Sequence, residues 1–180
     1  MLNKLGEEAS AVVPQVNHPI AIDWLNGRRT PFANQNLKAG IIDINLATDT
    51  LMLYRAVVES TCFGAKKIVE CFMDQGVPVK GIIAMGGIPQ RSSFIMQMMA
   101  DVLDMPIKVH KSDQTCALGA AMFAAVAAGV HEDVYQAMKY MGQGFDKTYY
   151  PNGAVTEIYK LRYQRYLNAG TLIEKNLYHV

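Results

Sequence analysis

The longest regular hydrophobic pattern in the chain covers residues 50–74. Apolar side chains recur there at steps of three and four residues, which is the spacing of a helix with one buried face. Thr48 or Asp49 can cap its first turn, and Gly76 can close its last turn in the left-handed conformation. The pattern therefore predicts a long amphipathic helix that ends at about Asp74.

Two short apolar runs farther along the chain, at 81–85 and 107–110, predict buried strands. Between them lies a segment with apolar residues at helical spacing. Ser92 or Ser93 is the candidate cap of this helix, and Pro106 stops it because proline cannot continue a helix. This part of the chain is the most regular in its pattern.

The second of these strands is followed by a predicted helix at 115–128, with Asp113 as its cap and Gly129 at its end. The order strand, helix, strand, helix predicts a parallel strand pair in an α/β fold, with a partial sheet flanked by helices. Two more amphipathic helices are predicted at 131–141 and 155–177, joined by a loop rich in glycine and proline.

The first quarter of the chain has weaker patterns. Residues 1–18 are polar and poorly patterned, so we separate them from a domain that covers 19–180. Short β-like runs at 20–22 and 40–44 predict two strands in the first part of that domain.

Composition excludes several classes of protein. Apolar residues make up 51% of the chain and charged residues 18%, which is enough to form a core and argues against disorder. The formal charge of +1 gives no strong field for nucleic acid or an anionic membrane. Residues 1–10 lack the apolar stretch of a secretory signal, and the longest apolar run, 116–130, is too short to span a bilayer. We therefore expect a soluble, cytoplasmic protein with no nucleic-acid or membrane partner.

Cysteine and histidine give no metal motif. The three cysteines form no C-x-x-C pair, and Cys62 and Cys116 lie among apolar neighbours, so we expect buried thiols at both positions. The four histidines are scattered without a second ligand at metal spacing, and we predict no metal site.

Gly86 and Gly87 are the first candidate for a binding site. They follow a predicted parallel strand and precede a helix, which is where open α/β sheets bind ligands. Without Cβ atoms the backbone can pass close to a flat ring, and the next helix offers free N–H groups. Taken alone, the pair is more often a tight turn that needs positive φ than a binding site. The segment lacks the ending of a Walker A loop.

Two other segments allow both a functional and a structural interpretation. The small residues of 117–121, with Gly119 in mid-helix, can form the floor of a nucleotide pocket if the helix presses on the glycine turn; simple helix–sheet packing is the alternative. The loop that contains Asn26, Arg28 and Arg29 offers guanidiniums suited to phosphate or carboxylate, although loop arginines are often solvated or bound to a local carboxylate.

Taken together, these motifs resemble the carboxyl domain of the FGGY carbohydrate kinases. The spaced pattern that carries the resemblance extends over about 45 residues and consists of Gly86-Gly87, Gln97, Ala100-Asp101, Pro106-Ile107, Ala117–Ala121 and Gly129. A second set of segments is similar to the members of that family that phosphorylate L-ribulose: Asp23–Pro31, Ala33–Gln35, Asp43–Asp49, Phe63–Ala65, Glu70–Phe72 and Ser112–Gln114.

The resemblance implies a ribonuclease-H-like fold of the actin and sugar-kinase type, in which two domains close over a cleft. It also implies transfer of phosphate from ATP to L-ribulose, giving L-ribulose 5-phosphate in arabinose breakdown, with Mg²⁺ bridging the phosphates. Gly86, Gly87 and Arg91 are the residues that it places at the nucleotide, and Asn26 and Arg28 are candidates for the cleft wall. In glycerol kinase an asparagine that contacts the nucleotide occupies the position of Arg91.

The resemblance also implies that much of the kinase lies outside this sequence. Members of the family are about three times as long. Their phosphate-binding loop, their catalytic aspartate and the hairpin that begins the second domain lie upstream of the matched region. We therefore expect a fragment that holds the nucleotide side of the site, no catalytic residue, and neither the main Mg²⁺ ligands nor the L-ribulose site. A module that binds nucleotide or a partner without catalysis is the alternative.

Loss of the first strands of the sheet would leave a strand edge unpaired. An unpaired edge and an uncovered apolar face favour association between chains. We therefore expect self-association, or residues 1–18 folding over the gap.

Overall fold

The computed structural model describes residues 2–177 and contains seven helices and five strands in that part of the chain. The elements, in chain order, are α1 (Leu2–Ser10), β1 (Ile20–Ile22), β2 (Gly40–Ile42), α2 (Thr50–Asp74), β3 (Ile82–Ala84), α3 (Gly87–Arg91), α4 (Ser93–Leu103), β4 (Ile107–His110), α5 (Thr115–Ala127), α6 (Val134–Met141), β5 (Phe145–Tyr149) and α7 (Gly153–Leu177).

The larger core lies between the antiparallel pair β1–β2 and the helices α2, α4 and α7. Its centre is Phe63 of α2, whose ring lies 5.4–6.3 Å from the rings of three tyrosines on α7. Those tyrosines are Tyr159, Tyr163 and Tyr166. Because they follow one another at steps of four and three residues, all three lie on one face of α7. This face packs α7 against α2, in the core that also contains Ile20 and Ile22 of β1.

A three-stranded sheet forms the second layer, in the order β3–β4–β5. β3 and β4 are parallel, as the strand–helix order predicted, and Ile82 pairs with Ile107. β5 runs antiparallel to β4, with Tyr149 opposite Ile107. Ile107 and Val109 are at most 1% exposed and pack with α4 in a second, smaller core. The predicted partial sheet flanked by helices is therefore confirmed.

Capping explains where the central helices begin. The Asp49 carboxylate accepts a hydrogen bond from Met52 N at 2.8 Å, and the Ser92 hydroxyl accepts one from Ile95 N at 3.3 Å. The prediction that Asp113 caps α5 is wrong, because Gln114 occupies the N-cap position and makes no side-chain capping bond. Gly76 and Gly129 have φ of 78° and 72°, as expected for left-handed helix ends.

Three elements were not predicted. Residues 2–10 form a helix although their pattern is polar, and the buried Ala9 carbonyl accepts a hydrogen bond from Arg55 Nη1 at 3.1 Å. The helix α3 inserts one turn between the glycine pair and α4. β5 lies in the segment predicted as a loop, where Asp146 and Lys147 break any apolar alternation.

Helix α5 departs most from its predicted packing. Met122 is its one buried residue, whereas Phe123 is 67% exposed and Cys116 is also exposed. The prediction of a buried Cys116 is therefore wrong, while Cys62 is buried as expected. No described helix is long and apolar enough to cross a membrane.

A charged cluster lies inside the larger core. Glu59 and Arg162 are each 1% exposed, and Arg55 is 6% exposed. Arg55 Nε lies 3.1 Å from Glu59 Oε1, and Arg162 Nε lies 2.9 Å from Glu59 Oε2. Burial raises the pKa of the Glu59 carboxyl, and the two guanidiniums oppose that rise. The cluster therefore joins α2 to α7 by charge as well as by apolar packing.

Candidate functional site

The glycine turn, Gly86-Gly87, lies where the sequence places it, between the end of β3 and the start of α3. Gly86 has φ of 96°, a conformation that side chains with a Cβ rarely adopt. A Cβ built on either glycine would meet no atom within 4 Å, so the backbone of the turn borders open space. The positive φ of Gly86 agrees with the interpretation of the pair as a tight turn. It also leaves the backbone open to a flat ligand.

The cavity next to this turn, which we call the glycine-turn cavity, has a volume of about 990 Å³. Gly87, Ile88 and Arg91 line one side of it, and residues of α1, α2, α4 and α7 line the other sides. Arg91 is exposed, so its guanidinium is accessible to a ligand. A volume of this size is at the upper end of small-ligand sites, which range from roughly 300 to 1,000 Å³.

The polar groups at the far wall of the glycine-turn cavity are held by internal bonds. Asp101 accepts hydrogen bonds from Gln97 Nε2 at 2.9 Å and from Asn152 N at 2.8 Å. Burial raises the pKa of the Asp101 carboxyl, and both bonds oppose the rise. Arg55 Nη2 donates to the Tyr159 hydroxyl at 2.5 Å. Asp101 therefore joins α4 to the start of α7, and its role is structural.

The small-residue helix does not press on the glycine turn. A Cβ on Gly119 would meet no atom within 4 Å, whereas the functional interpretation required a backbone almost in contact. The small residues at 117–121 lie on a helix with one buried residue, so tight helix–sheet packing does not explain them either. Both interpretations of this segment are wrong for the part of the chain that the structure describes.

Asn26 and Arg28 line a second cavity, which we call the loop cavity. It has a volume of about 770 Å³ and lies between the loop 23–32, α2 and the second half of α7. The loop cavity and the glycine-turn cavity have no lining residue in common. The structure therefore brings Gly87 and Arg91 together but does not bring Asn26 and Arg28 to them.

The two arginines of the loop have different roles. Arg28 forms a two-pronged ion pair with Glu174, with both N–O distances at 2.8 Å, and donates from Nε to the Phe32 carbonyl at 2.7 Å. Its guanidinium also lies 5.1 Å from the centre of the Trp24 ring. Arg28 is thus bound to a carboxylate, as the structural interpretation of loop arginines expected. Arg29 is exposed and forms no ion pair within residues 2–177.

Asp23 is the residue of the loop cavity that sequence reasoning passed over. Tyr166 donates a hydrogen bond to its Oδ1 at 3.2 Å. Burial raises the pKa of the Asp23 carboxyl, and hydrogen bonds from its own backbone and from Tyr166 oppose the rise. An acidic residue directly after a short buried strand was the signal that could have identified it.

The described residues hold no group of three or more histidine, cysteine or acidic side chains that could bind a metal. The open backbone at the glycine turn fits the approach of a nucleotide, since a side chain on either glycine would occupy that space.

Comparison with known proteins identifies the class. Residues 2–128 match the C-terminal domain of the FGGY family of carbohydrate kinases, and the chain belongs to that family. The ribulokinases are among its most similar relatives. Over 157 residues the chain is 50% identical to the ribulokinase of Vibrio parahaemolyticus serotype O3:K6, covering 87% of this chain and 28% of that protein. It is 40% identical over 166 residues to the ribulokinase of Shouchella clausii, and the match covers 90% of this chain and 30% of that protein.

Solved structures show the same fold. The xylulose kinase of Lactobacillus acidophilus superposes with a TM-score of 0.84 at 22% identity, covering 95% of this chain and 34% of that one. The glycerol kinase of Plasmodium falciparum, solved with ADP, superposes with a TM-score of 0.73 at 19% identity. The superposition covers 93% of this chain and 35% of that one. The fold is therefore the ribonuclease-H-like α/β fold of the carboxyl domain of sugar kinases. The chain spans less than a third of the length of the two ribulokinases.

Proposed function

We propose that this chain is part of an ATP-dependent kinase that phosphorylates L-ribulose to L-ribulose 5-phosphate in arabinose breakdown. The observation that carries the proposal is the 50% identity to a ribulokinase over 157 residues. The loop 23–32 supports it as well. Gly27 belongs to the segment that resembles the L-ribulose kinases, and its position requires glycine, because a Cβ there would lie 2.5 Å from Gln35 Cα.

Within that kinase, residues 19–180 form the nucleotide side of the carboxyl domain, and α1 lines one wall of its glycine-turn cavity. The glycine turn lies against the adenosine part of ATP or ADP, because Gly86 and Gly87 leave the space at the backbone open. Gly87 and Arg91 both line the glycine-turn cavity, and Arg91 is exposed. A guanidinium there can stack on the adenine or donate to the ribose.

Catalysis and most of the Mg²⁺ binding belong to the rest of the kinase. Neither the proton-accepting aspartate nor the phosphate-binding loop of the family is in this sequence, and the described residues contain no metal cluster. L-Ribulose binds through the other domain, and domain closure excludes water from the transferred phosphate. The 180-residue chain alone is therefore inactive.

Binding of ADP to the isolated chain tests the role of the glycine turn. A Cβ at Gly87 would meet no atom within 4 Å, so Gly87→Leu should fold. Its side chain would extend into the open space and should lower ADP affinity at least about tenfold. Gly119→Leu is the matched control, because Gly119 also borders open space but lies on α5. Equal ADP affinity of Gly87→Leu and the unsubstituted chain would refute the assignment.

Turnover tests the kinase assignment. The chain should not phosphorylate L-ribulose alone, but should do so when mixed with the preceding part of the Vibrio parahaemolyticus ribulokinase. Turnover by the chain alone would place the catalytic base within these 180 residues. Absence of turnover in the mixture, with ADP binding intact, would favour the non-catalytic nucleotide-binding module.

The isolated chain should also self-associate. β3 pairs with β4 on one side and with no described strand on the other. Ile83 and Met85, at 54% and 56% exposure, add an apolar surface at this edge. A second copy can pair with that edge, so Ile83→Lys should shift the sedimentation equilibrium toward monomer. A monomer at all concentrations would contradict the expectation.

A further inference from the structure

The loop cavity is separate from the glycine-turn cavity, and the function proposed above assigns no ligand to it. Its volume of about 770 Å³ lies within the range of small-ligand sites. Its walls come from three parts of the chain, namely the loop 23–32, α2 and α7. The walls are held in place by the ion pair of Arg28 with Glu174, which ties the loop to α7.

Two glycines in mid-helix keep this cavity open. Gly64 lies in α2 and Gly170 in α7, where glycine is a poorer helix former than alanine. A Cβ on Gly64 would lie 3.4 Å from Asp23 Oδ2, and a Cβ on Gly170 would lie 3.1 Å from Trp24 Cη2. Gly64 therefore leaves the Asp23 carboxylate uncovered, and Gly170 leaves room for the Trp24 ring.

The Asp23 carboxylate has unused capacity to accept hydrogen bonds. Tyr166 is its side-chain donor, and no lysine or arginine within residues 2–177 pairs with it. An ionised carboxylate offers about four lone-pair sites, and the Tyr166 bond uses one of them. Asp23 lines the cavity, so a ligand there can donate to the remaining sites. Hydroxyl groups of a ligand are the neutral donors that suit such a carboxylate.

A cation lies in the wall of the same cavity. Arg29 is exposed, and unlike Arg28 it forms no ion pair within the described residues. Lys67 also lines the cavity, and its Nζ lies 3.6 Å from Glu70. A free guanidinium binds phosphate through two parallel hydrogen bonds. The cavity thus combines an acceptor for hydroxyl groups with a donor for an anion.

We propose that the loop cavity binds a small polyhydroxylated anion of the sugar-phosphate class, with Asp23 accepting bonds from ligand hydroxyls and Arg29 donating to the phosphate. Leu25 and Phe32, which also line the cavity, are 74% and 69% exposed. They give the ligand's carbon skeleton an apolar surface to contact. The site is distinct from the proposed nucleotide site, because it has no lining residue in common with the glycine-turn cavity.

Calorimetric titration of the 180-residue chain tests the class of ligand, with ribose 5-phosphate, ribose and inorganic phosphate as separate probes. Ribose 5-phosphate should bind with a Kd below about 1 mM, and each of the other two at least about tenfold more weakly. Inorganic phosphate binding as tightly as ribose 5-phosphate would overturn the sugar-phosphate assignment. No ribose 5-phosphate binding at about 10 mM would overturn the site itself.

Three variants test the residues. Arg29→Ala should weaken ribose 5-phosphate binding by about 10- to 100-fold, since a hydrogen bond to a charged group is lost. Gly64→Ala should also weaken it, because the methyl group covers the Asp23 carboxylate at an ordinary contact distance and leaves the helix intact. Arg91→Ala, in the glycine-turn cavity, should leave it unchanged. Unchanged affinity in both Arg29→Ala and Gly64→Ala would refute the proposal.

Competition separates this site from the proposed nucleotide site. Saturating ADP should leave the affinity for ribose 5-phosphate unchanged, and Gly87→Leu should leave it unchanged as well. Displacement of ribose 5-phosphate by ADP would overturn the proposal of a separate site. Loss of ADP binding alone would count against the glycine turn and leave the loop cavity unaffected.

Discussion

Arg162 and Glu59 form an ion pair in the interior of the protein, with Arg162 Nε 2.9 Å from Glu59 Oε2 and each side chain 1% exposed. Arg55 completes the cluster from the other side of the carboxylate. Arg162 also donates to the carbonyls of Gln15 at 2.6 Å and Pro19 at 2.9 Å. One side chain of α7 thus holds both the core carboxylate and the segment that leads into β1.

Removal of the carboxylate should be strongly destabilising. Glu59→Gln leaves two buried guanidiniums without a counter-charge, which should lower the free energy of unfolding by about 3–5 kcal/mol. Urea unfolding followed by circular dichroism measures the change. Glu157→Gln is the control, because the Glu157 pair with Lys160 lies at the surface, and its effect should be within error. Similar stability of the two variants would contradict the prediction.

The stability of the chain should depend on pH through Asp23. Burial raises the pKa of its carboxyl in the folded state. Its contribution to stability is therefore full below the unfolded pKa of about 3.9, and is lost as the pH rises through the raised folded value. An asparagine side chain cannot ionise, so Asp23→Asn should gain stability relative to the unsubstituted chain between about pH 4 and pH 7. Urea midpoints across that range measure the gain.

Tyr166→Phe provides the complementary test of the same carboxyl. It removes the hydrogen bond that opposes the rise in the pKa of Asp23, so stability should fall more steeply with pH than in the unsubstituted chain. A stability difference between Asp23→Asn and the unsubstituted chain that stays constant with pH would contradict both predictions.

The three cysteines should react with iodoacetamide in a fixed order. Cys116 is exposed on α5, Cys71 is partly exposed, and Cys62 is buried. Burial raises the pKa of the Cys62 thiol to about 12, which lowers its reactivity further. Mass spectrometry of the peptides over time should therefore show Cys116 modified first and Cys62 last. If Cys62 reacted in the folded chain as fast as Cys116, the packing of α2 would be wrong.

Two mid-helix glycines should respond to alanine in opposite ways. At Gly119 a Cβ meets open space, so Gly119→Ala should raise the free energy of unfolding by up to about 1 kcal/mol. At Gly170 a Cβ would lie 3.1 Å from the buried Trp24 ring, so the overpacking should outweigh the helix gain and lower stability by about 1 kcal/mol. Thermal unfolding of both variants measures the difference, and equal shifts would contradict it.

Local patterns were sufficient to predict the central elements. The apolar spacing in 50–74 and the two short runs around the glycine turn identified α2, β3 and β4, because each buries one regular face. β5 could not be predicted this way. Its residues form a strand because they pair with β4, and this pairing joins segments that are distant in sequence.

The candidate site was predicted in part for a similar reason. Gly86-Gly87 was identified because the need for positive φ and the break after a strand are local properties. Arg28 pairs with Glu174, which lies 146 residues from it in sequence, so no local pattern could predict this pairing or the place of Arg28 in a cavity apart from Arg91. The packing of α5 was mispredicted because its apolar composition indicated burial, whereas burial depends on which elements lie beside it.

The bonds from Arg162 to the carbonyls of His18 and Pro19 span 144 and 143 positions of sequence. A ribosome that adds about 5–20 residues per second needs roughly 7–30 seconds to make that stretch. During this interval β1 and the apolar face of α2 have been synthesised, but the tyrosine-bearing face of α7 that covers them has not. The nascent chain therefore presents its future core to chaperones and to neighbouring chains, and the final helix is the step that ends this exposure.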